Sequence, residues 1–71
     1  MKTTLFQITG MRCDGCAETV RTLLEHEPGV KAVDVSLATG QARVLHDPQV
    51  TSTEQLAGVI RRPGFQVAGQ Q

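Results

Sequence analysis

Between residues 4 and 9 the side chains alternate, with Thr4, Phe6 and Ile8 on one face and Leu5, Gln7 and Thr9 on the other, which is the period of a half-buried strand. Gly10 ends it. From Asp14 to Glu27 the pattern changes: Cys16, Ala17, Val20, Leu23 and Leu24 recur at helical spacing opposite Glu18, Arg21, Thr22 and Glu25, and Pro28-Gly29 supplies a stop. Alternation returns at Val33, Val35 and Leu37, set against Ala32, Asp34, Ser36 and Ala38. Thr39-Gly40 then turns the chain into a partner run in which Ala42, Val44 and His46 share one face, so the two runs predict a hairpin. Thr51 to Glu54 and Ser52 to Gln55 form two overlapping capping boxes ahead of Leu56, Val59 and Ile60. They predict a second helix ending at or before Arg62, because Pro63 disfavours helical geometry in the residue before it. Phe65 and Val67 predict a last short strand, with Ala68 to Gln71 frayed.

The order β-α-β-β-α-β resembles the ferredoxin-like arrangement, an α+β fold with a four-stranded antiparallel sheet and two helices on one face. Each helix would cross between strands in the right-handed sense. No linker or low-complexity stretch divides the chain, so residues 1–71 are expected to form a single domain. A chain of this size buries only about 60% of its unfolded surface. A large enclosed pocket is therefore not expected. With two Phe and no Trp or Tyr, the core must come from Val, Leu, Ile and Ala, and any chemistry belongs at the surface.

Seven Lys and Arg balance seven Asp and Glu, which leaves no basic excess for phosphates, and two aromatics make no run of stacking platforms; nucleic acid is not an expected partner. The first nine residues contain no apolar run fit for a signal peptide or a membrane span. The expected location is the cytoplasm, with no direct insertion into membrane. In that reducing setting two cysteines are expected to be thiols.

Those thiols lie in Gly10-Met11-Arg12-Cys13-Asp14-Gly15-Cys16, where a strand hands over to a helix. Both sulfurs then come from one short surface turn, with Gly15 removing a side chain that could hinder its closure. A place in the first helical turn would favour the Cys16 thiolate through unpaired N–H groups, and Arg12 adds positive charge. Asp14 is placed to cap the helix. Thiolate softness selects Cu(I), other soft ions such as Hg(II), and Zn(II). Zn(II) wants four ligands in a structural site, and only two are close in sequence. His26 lies ten helical residues from Cys16, roughly 15 Å away, too far to join them. The same spacing also serves thiol-disulfide oxidoreductases, although this chain is short for that fold and lacks the motif's usual Trp and Pro companions.

The run Gly-Met-x-Cys-x-x-Cys ahead of an amphipathic helix, together with the element order and the Ile60 to Phe65 segment, is similar to the heavy-metal-associated domain family. That family includes copper chaperones, amino-terminal domains of copper-transporting P-type ATPases, and mercury carriers. The resemblance implies a non-catalytic carrier that holds Cu(I), or alternatively Hg(II), on Cys13 and Cys16. It would dock on the metal-binding domain of a P-type ATPase and pass the ion through shared thiolates, as a monomer when apo that is able to form a metal-bridged dimer. It also implies that Met11 packs beneath the loop and that Phe65, whose family counterpart is Tyr, Lys or Phe, limits water access beside it. Arg12 stands where zinc-exporting relatives carry an acidic residue, which favours a monovalent ion. Pro63 departs from the small or polar residue usual in the family and would stiffen the bordering loop. His46 is expected to pack near the sheet's edge, and Arg61 and Arg62 to lie at the thiol end, where they could steer an acidic partner.

Overall fold

A computed structural model describes residues Met1 to Gln70. Its elements are β1 (Lys2–Thr9), α1 (Asp14–Glu25), β2 (Val30–Ser36), β3 (Gln41–His46), α2 (Thr53–Arg61) and β4 (Gln66–Gln70). The strands form one sheet in the order β2-β3-β1-β4, and every neighbouring pair is antiparallel. Neither helix joins adjacent strands: α1 carries the chain over β3, and α2 carries it over β1. The result is the ferredoxin-like fold.

The period-2 reading fixes which face is buried. Thr4, Phe6 and Ile8 of β1 and Ala42, Val44 and His46 of β3 all point inward and are buried. Their apolar members join Val20 and Leu24 of α1 and Leu56, Val59 and Ile60 of α2 in one core cluster. Burying each of those large side chains is worth about 1.5–3 kcal/mol before entropy is counted. Arg43 and Gln7 lie exposed on the outer face, which no helix covers.

Several boundaries differ from the sequence reading, each for a reason outside the local pattern. β1 starts at Lys2, because Lys2 and Thr3 find partners in His46 and Leu45. α1 ends at Glu25, not Glu27; His26 closes it, with its backbone N–H donating to the Thr22 carbonyl while the N–H of Glu27 donates to that of Leu24. Leu37 belongs to the turn, not to a strand. Phe65 precedes β4, and Ala68 to Gln70 are strand residues rather than frayed, since Gly69 and Gln70 pair with Gln7 and Phe6. Gln71, the last residue of that expected frayed tail, lies outside the described residues. Of the two capping boxes, the one formed is Ser52 with Gln55, both reciprocal bonds present at 3.1 Å. Thr51 is instead buried, and its hydroxyl donates to the Pro28 carbonyl.

His46 is not near the sheet's edge, because β3 is an inner strand. It is wholly buried, and its ring spans two elements: Nδ1 donates to the Thr51 carbonyl at 3.0 Å, which leaves Nε2 to accept from the Thr4 hydroxyl at 2.8 Å. A carbonyl cannot donate, so the partner on Nδ1 requires that nitrogen to carry a proton.

Candidate metal centre

The loop from Gly10 to Cys13 sits at the end of β1, an inner strand, so the sheet holds its base on both sides. Gly10 has φ +99°, a conformation that side chains resist. A Cβ there would lie 3.4 Å from Phe65 Cδ1, so the Phe65 ring rests directly against the loop. Phe65 and Met11 are both half-buried and pack on the core. Met11 thus packs on the core next to the loop without being fully enclosed.

Cys13 is the residue capping α1, in extended geometry (φ −153°, ψ 167°). Its carbonyl accepts from the N–H groups of Cys16 at 3.0 Å and Ala17 at 3.3 Å. Cys16 occupies the third position of the helix. This spacing turns both side chains to one side, with the sulfurs 3.2 Å apart. Cys13 is exposed and Cys16 half-buried, and both are free thiols.

Asp14 does not cap the helix. Cys13 takes that position and makes no side-chain cap bond, so Asp14 becomes the first helical residue, where its charge faces the positive end of the helix. Nor is Gly15 required by the backbone, which is ordinary helix there. A Cβ would meet only Cys13 Sγ, at the normal contact distance of 3.8 Å.

The Cys16 thiol is held below its ordinary pKa, first by the backbone N–H of Arg12 and second by donation from the Cys13 thiol. Partial burial opposes them, and the Arg12 guanidinium contributes least. Arg12 therefore acts on Cys16 mainly through a main-chain group. Every residue but proline carries that group, so nothing in the sequence distinguishes it.

The remaining candidates are dispersed. His26 donates from Nδ1 to the Thr22 carbonyl at 2.7 Å, at the opposite end of α1. Arg62 lies 3.8 Å from Glu27, and Arg61 is exposed in the last turn of α2. Pro63 is exposed between that helix and Phe65. Among the described residues no group of three or more His, Cys, Asp or Glu is placed to hold an ion. Two thiols are all that the described residues offer there.

A split β-α-β sheet presenting a thiol pair on its first crossover is the arrangement of a metal-binding carrier domain. The profile of the heavy-metal-associated domain matches residues 5–66, and the chain belongs to that family. It is 39% identical over 66 residues to human copper-transporting ATPase 2, covering 93% of this chain and 4% of the transporter. The chain thus spans a small fraction of the length of the transporters it matches, 4% in that case and 8% for a copper-exporting P-type ATPase of Staphylococcus haemolyticus. Among solved structures it is similar to the CopZ metallochaperone, with a TM-score of 0.91 at 28% identity, covering 94% of this chain and 100% of that one. It is similar also to a copper binding domain from HMA7, a P-type ATPase, with a TM-score of 0.92 at 27% identity over 100% and 99% of the two chains. No helix among the described residues is long and apolar enough to cross a membrane.

Proposed function

We propose that residues 1–71 act as one carrier domain in which Cys13 and Cys16 hold Cu(I) and pass it to a partner by ligand exchange. The observation that carries this reading is the sulfur pair, 3.2 Å apart on an exposed turn. Two thiolates without a third ligand suit an ion content with two soft donors, and relatives named for copper point the same way. Zn(II), which wants four ligands in a structural site, is poorly served. With metal–thiolate bonds of about 2.3 Å, a near-linear ion needs its sulfurs roughly 4.6 Å apart. The pair must therefore open, and the exposed Cys13 is the side chain with room to swing.

That freedom also lets an incoming thiolate add to the ion before Cys13 departs, so no bare ion is released. The partner we assign is the metal-binding domain of a P-type ATPase, reached in the cytoplasm. The free protein would be a monomer, and a loaded copy could share its ion with a second. Met11, Arg12, Gly15 and Phe65 shape the loop: Met11 from below, Phe65 at its side against Gly10, Arg12 by its amide, and Gly15 by leaving space next to Cys13.

Titrating the reduced protein with Cu(I) against a competing chelator tests the reading. One ion per chain is expected, with affinity falling at least about a thousandfold, or ~4 kcal/mol, in Cys13→Ser. Unchanged affinity in that variant would refute the assignment. Hg(II) accepts the same two thiolates, and a parallel titration ranks the two ions.

A further inference from the structure

We propose that the outer face of α2 docks on the same face of a second copy of this chain, the two helices lying antiparallel about a two-fold axis at Gly58. The contact uses neither thiol and shares no ion, so it stands apart from the carrier reading and is tested apart from it.

Along α2 and its closing residue the exposed positions include Glu54, Gln55, Gly58, Arg61 and Arg62, while Leu56, Ala57, Val59 and Ile60 between them are buried in the core. That exposed stripe is symmetric in spacing about Gly58 and opposite in charge at its two ends. Turned end for end against itself, it sets Glu54 of each copy against Arg62 of the other, Gln55 against Arg61, and Gly58 against Gly58. Two ion pairs form, the helix dipoles oppose one another, and no like charges stand directly opposite. Among the described residues Glu54 and Arg61 have no ion-pair partner. Arg62, with its side chain 66% exposed, lies 3.8 Å from Glu27, a surface pairing that exchanges at little cost.

Gly58 supplies the second argument. A glycine inside a helix lowers the helix's formation constant about fivefold relative to alanine, and nothing among the described residues requires one here. The backbone is helical, and a Cβ added at Gly58 would meet no atom within 4 Å. The missing side chain suits a close approach of two backbones, with helix axes about 8 Å apart, the short end of the usual range. The capping box of Ser52 and Gln55 already holds the first turn, so little order has to be gained on docking.

Size sets the strength. A helix of 9 residues spans roughly 14 Å, and a strip of that length buries far less than the ~800 Å² per partner of a stable complex. The pair is therefore weak, with a dissociation constant on the order of 1 mM. A free chain at micromolar concentration stays monomeric, and pairing appears where copies are crowded or held together.

The experiment follows the backbone amide resonances of the reduced apo chain as it is diluted from about three times that constant to about a tenth of it. Concentration-dependent shifts are expected along Glu54 to Arg62, and they should persist when Cys13→Ser and Cys16→Ser are combined. Glu54→Arg alone, and Arg61→Glu with Arg62→Glu, each turn both facing pairs repulsive and should weaken self-pairing about tenfold. An equimolar mixture of those two variants restores opposite charges and should pair at least as tightly as the unmodified chain. Gly58→Ala should raise the melting temperature and yet weaken pairing, a division that a purely structural role for the glycine would not produce. Shifts that are absent or centred elsewhere, a mixture that pairs no better than its components, or pairing unchanged in Gly58→Ala would each overturn the proposal. Cu(I) titration of the same samples reports on the carrier reading independently, since the substitutions on α2 leave Cys13 and Cys16 in place.

Discussion

At the end of the sheet where β1 hands over to α1, the reactive side chains are exposed or half-buried and are bonded chiefly to one another and to main-chain groups. At the opposite end, where β3 leads toward α2, Thr4, His46 and Thr51 are buried and joined in one chain of hydrogen bonds that continues to the Pro28 carbonyl. Both ends use polar groups, yet for contrasting purposes. The buried chain ties β1, β3, the start of α2 and the α1–β2 turn together in a single arrangement, because each lost bond would strand a desolvated group. The thiol end keeps its polar atoms where water and a partner can replace their bonds cheaply. The ligand exchange we propose for Cys13 and Cys16 demands that. A small chain can afford a loosely held loop only where the rest is firmly fixed.

The largest effect should come from the buried end. His46→Ala removes one partner from each of two buried groups, the Thr4 hydroxyl and the Thr51 carbonyl, and opens a void at a position with 0% exposure. We expect a loss of about 3 kcal/mol in urea unfolding, a large part of the total stability of a chain this short. Cu(I) affinity of the molecules that remain folded should be unchanged within a few fold. A fall in affinity matching that of a cysteine variant would break the division between the two ends.

Met11→Ala probes the support under the loop. Since Met11 is half-buried, the expected cost is about 1–2 kcal/mol, less than the 2–5 kcal/mol of a fully enclosed position. Binding should weaken only modestly. Loss comparable to that of Cys13→Ser would make Met11 a ligand.

Gly15→Ala should be milder still. The backbone is helical there and the added methyl meets Cys13 Sγ at 3.8 Å, so alanine is expected to stabilise the helix by roughly 0.5–1 kcal/mol. A destabilised variant would show that the bend needs glycine after all. Slower Cu(I) transfer with raised stability would locate the residue's role in leaving Cys13 room to swing.

The sequence displayed some of this contrast and hid the rest. Alternation at Thr4, Phe6, Ile8 and at Ala42, Val44, His46 was readable because a sheet with one covered face imposes a period of two on its own side chains. The thiol pair was readable because its geometry is local: four residues at a strand-to-helix junction decide where both sulfurs go. Partners distant in the chain were not readable. Lys2 and Ala68 to Gln70 are strand residues only because β3 and β1 present free backbone groups to them. Thr51 and Ser52 offered equal capping patterns, and the choice fell to Ser52 because Pro28, twenty-three residues away, takes the Thr51 hydroxyl. The same applies to His46, whose inward position followed from alternation but whose two hydrogen bonds did not, and to the pairing of Arg62 with Glu27.

The smallest expected effect is one of pH, and it separates main-chain from side-chain control of the thiol end. Because the folded chain lowers the pKa of Cys16, with the Arg12 amide as first cause and the Cys13 thiol as second, there is a pH window below the ordinary thiol value in which folded Cys16 has lost its proton while the unfolded chain keeps it. The unfolded state then binds more protons, so stability of the reduced apo protein should rise with pH across that window. The gain is complete above the unfolded pKa and is lost as pH falls through the folded one. Following the Cys16 ¹³Cβ shift under reductant measures the folded value directly. Cys13→Ala should raise it by removing the thiol donor, yet leave it below that of a free cysteine because the Arg12 amide remains. A value equal to free cysteine in that variant would mean that the neighbouring thiol, and not the backbone of the loop, lowers the pKa of Cys16.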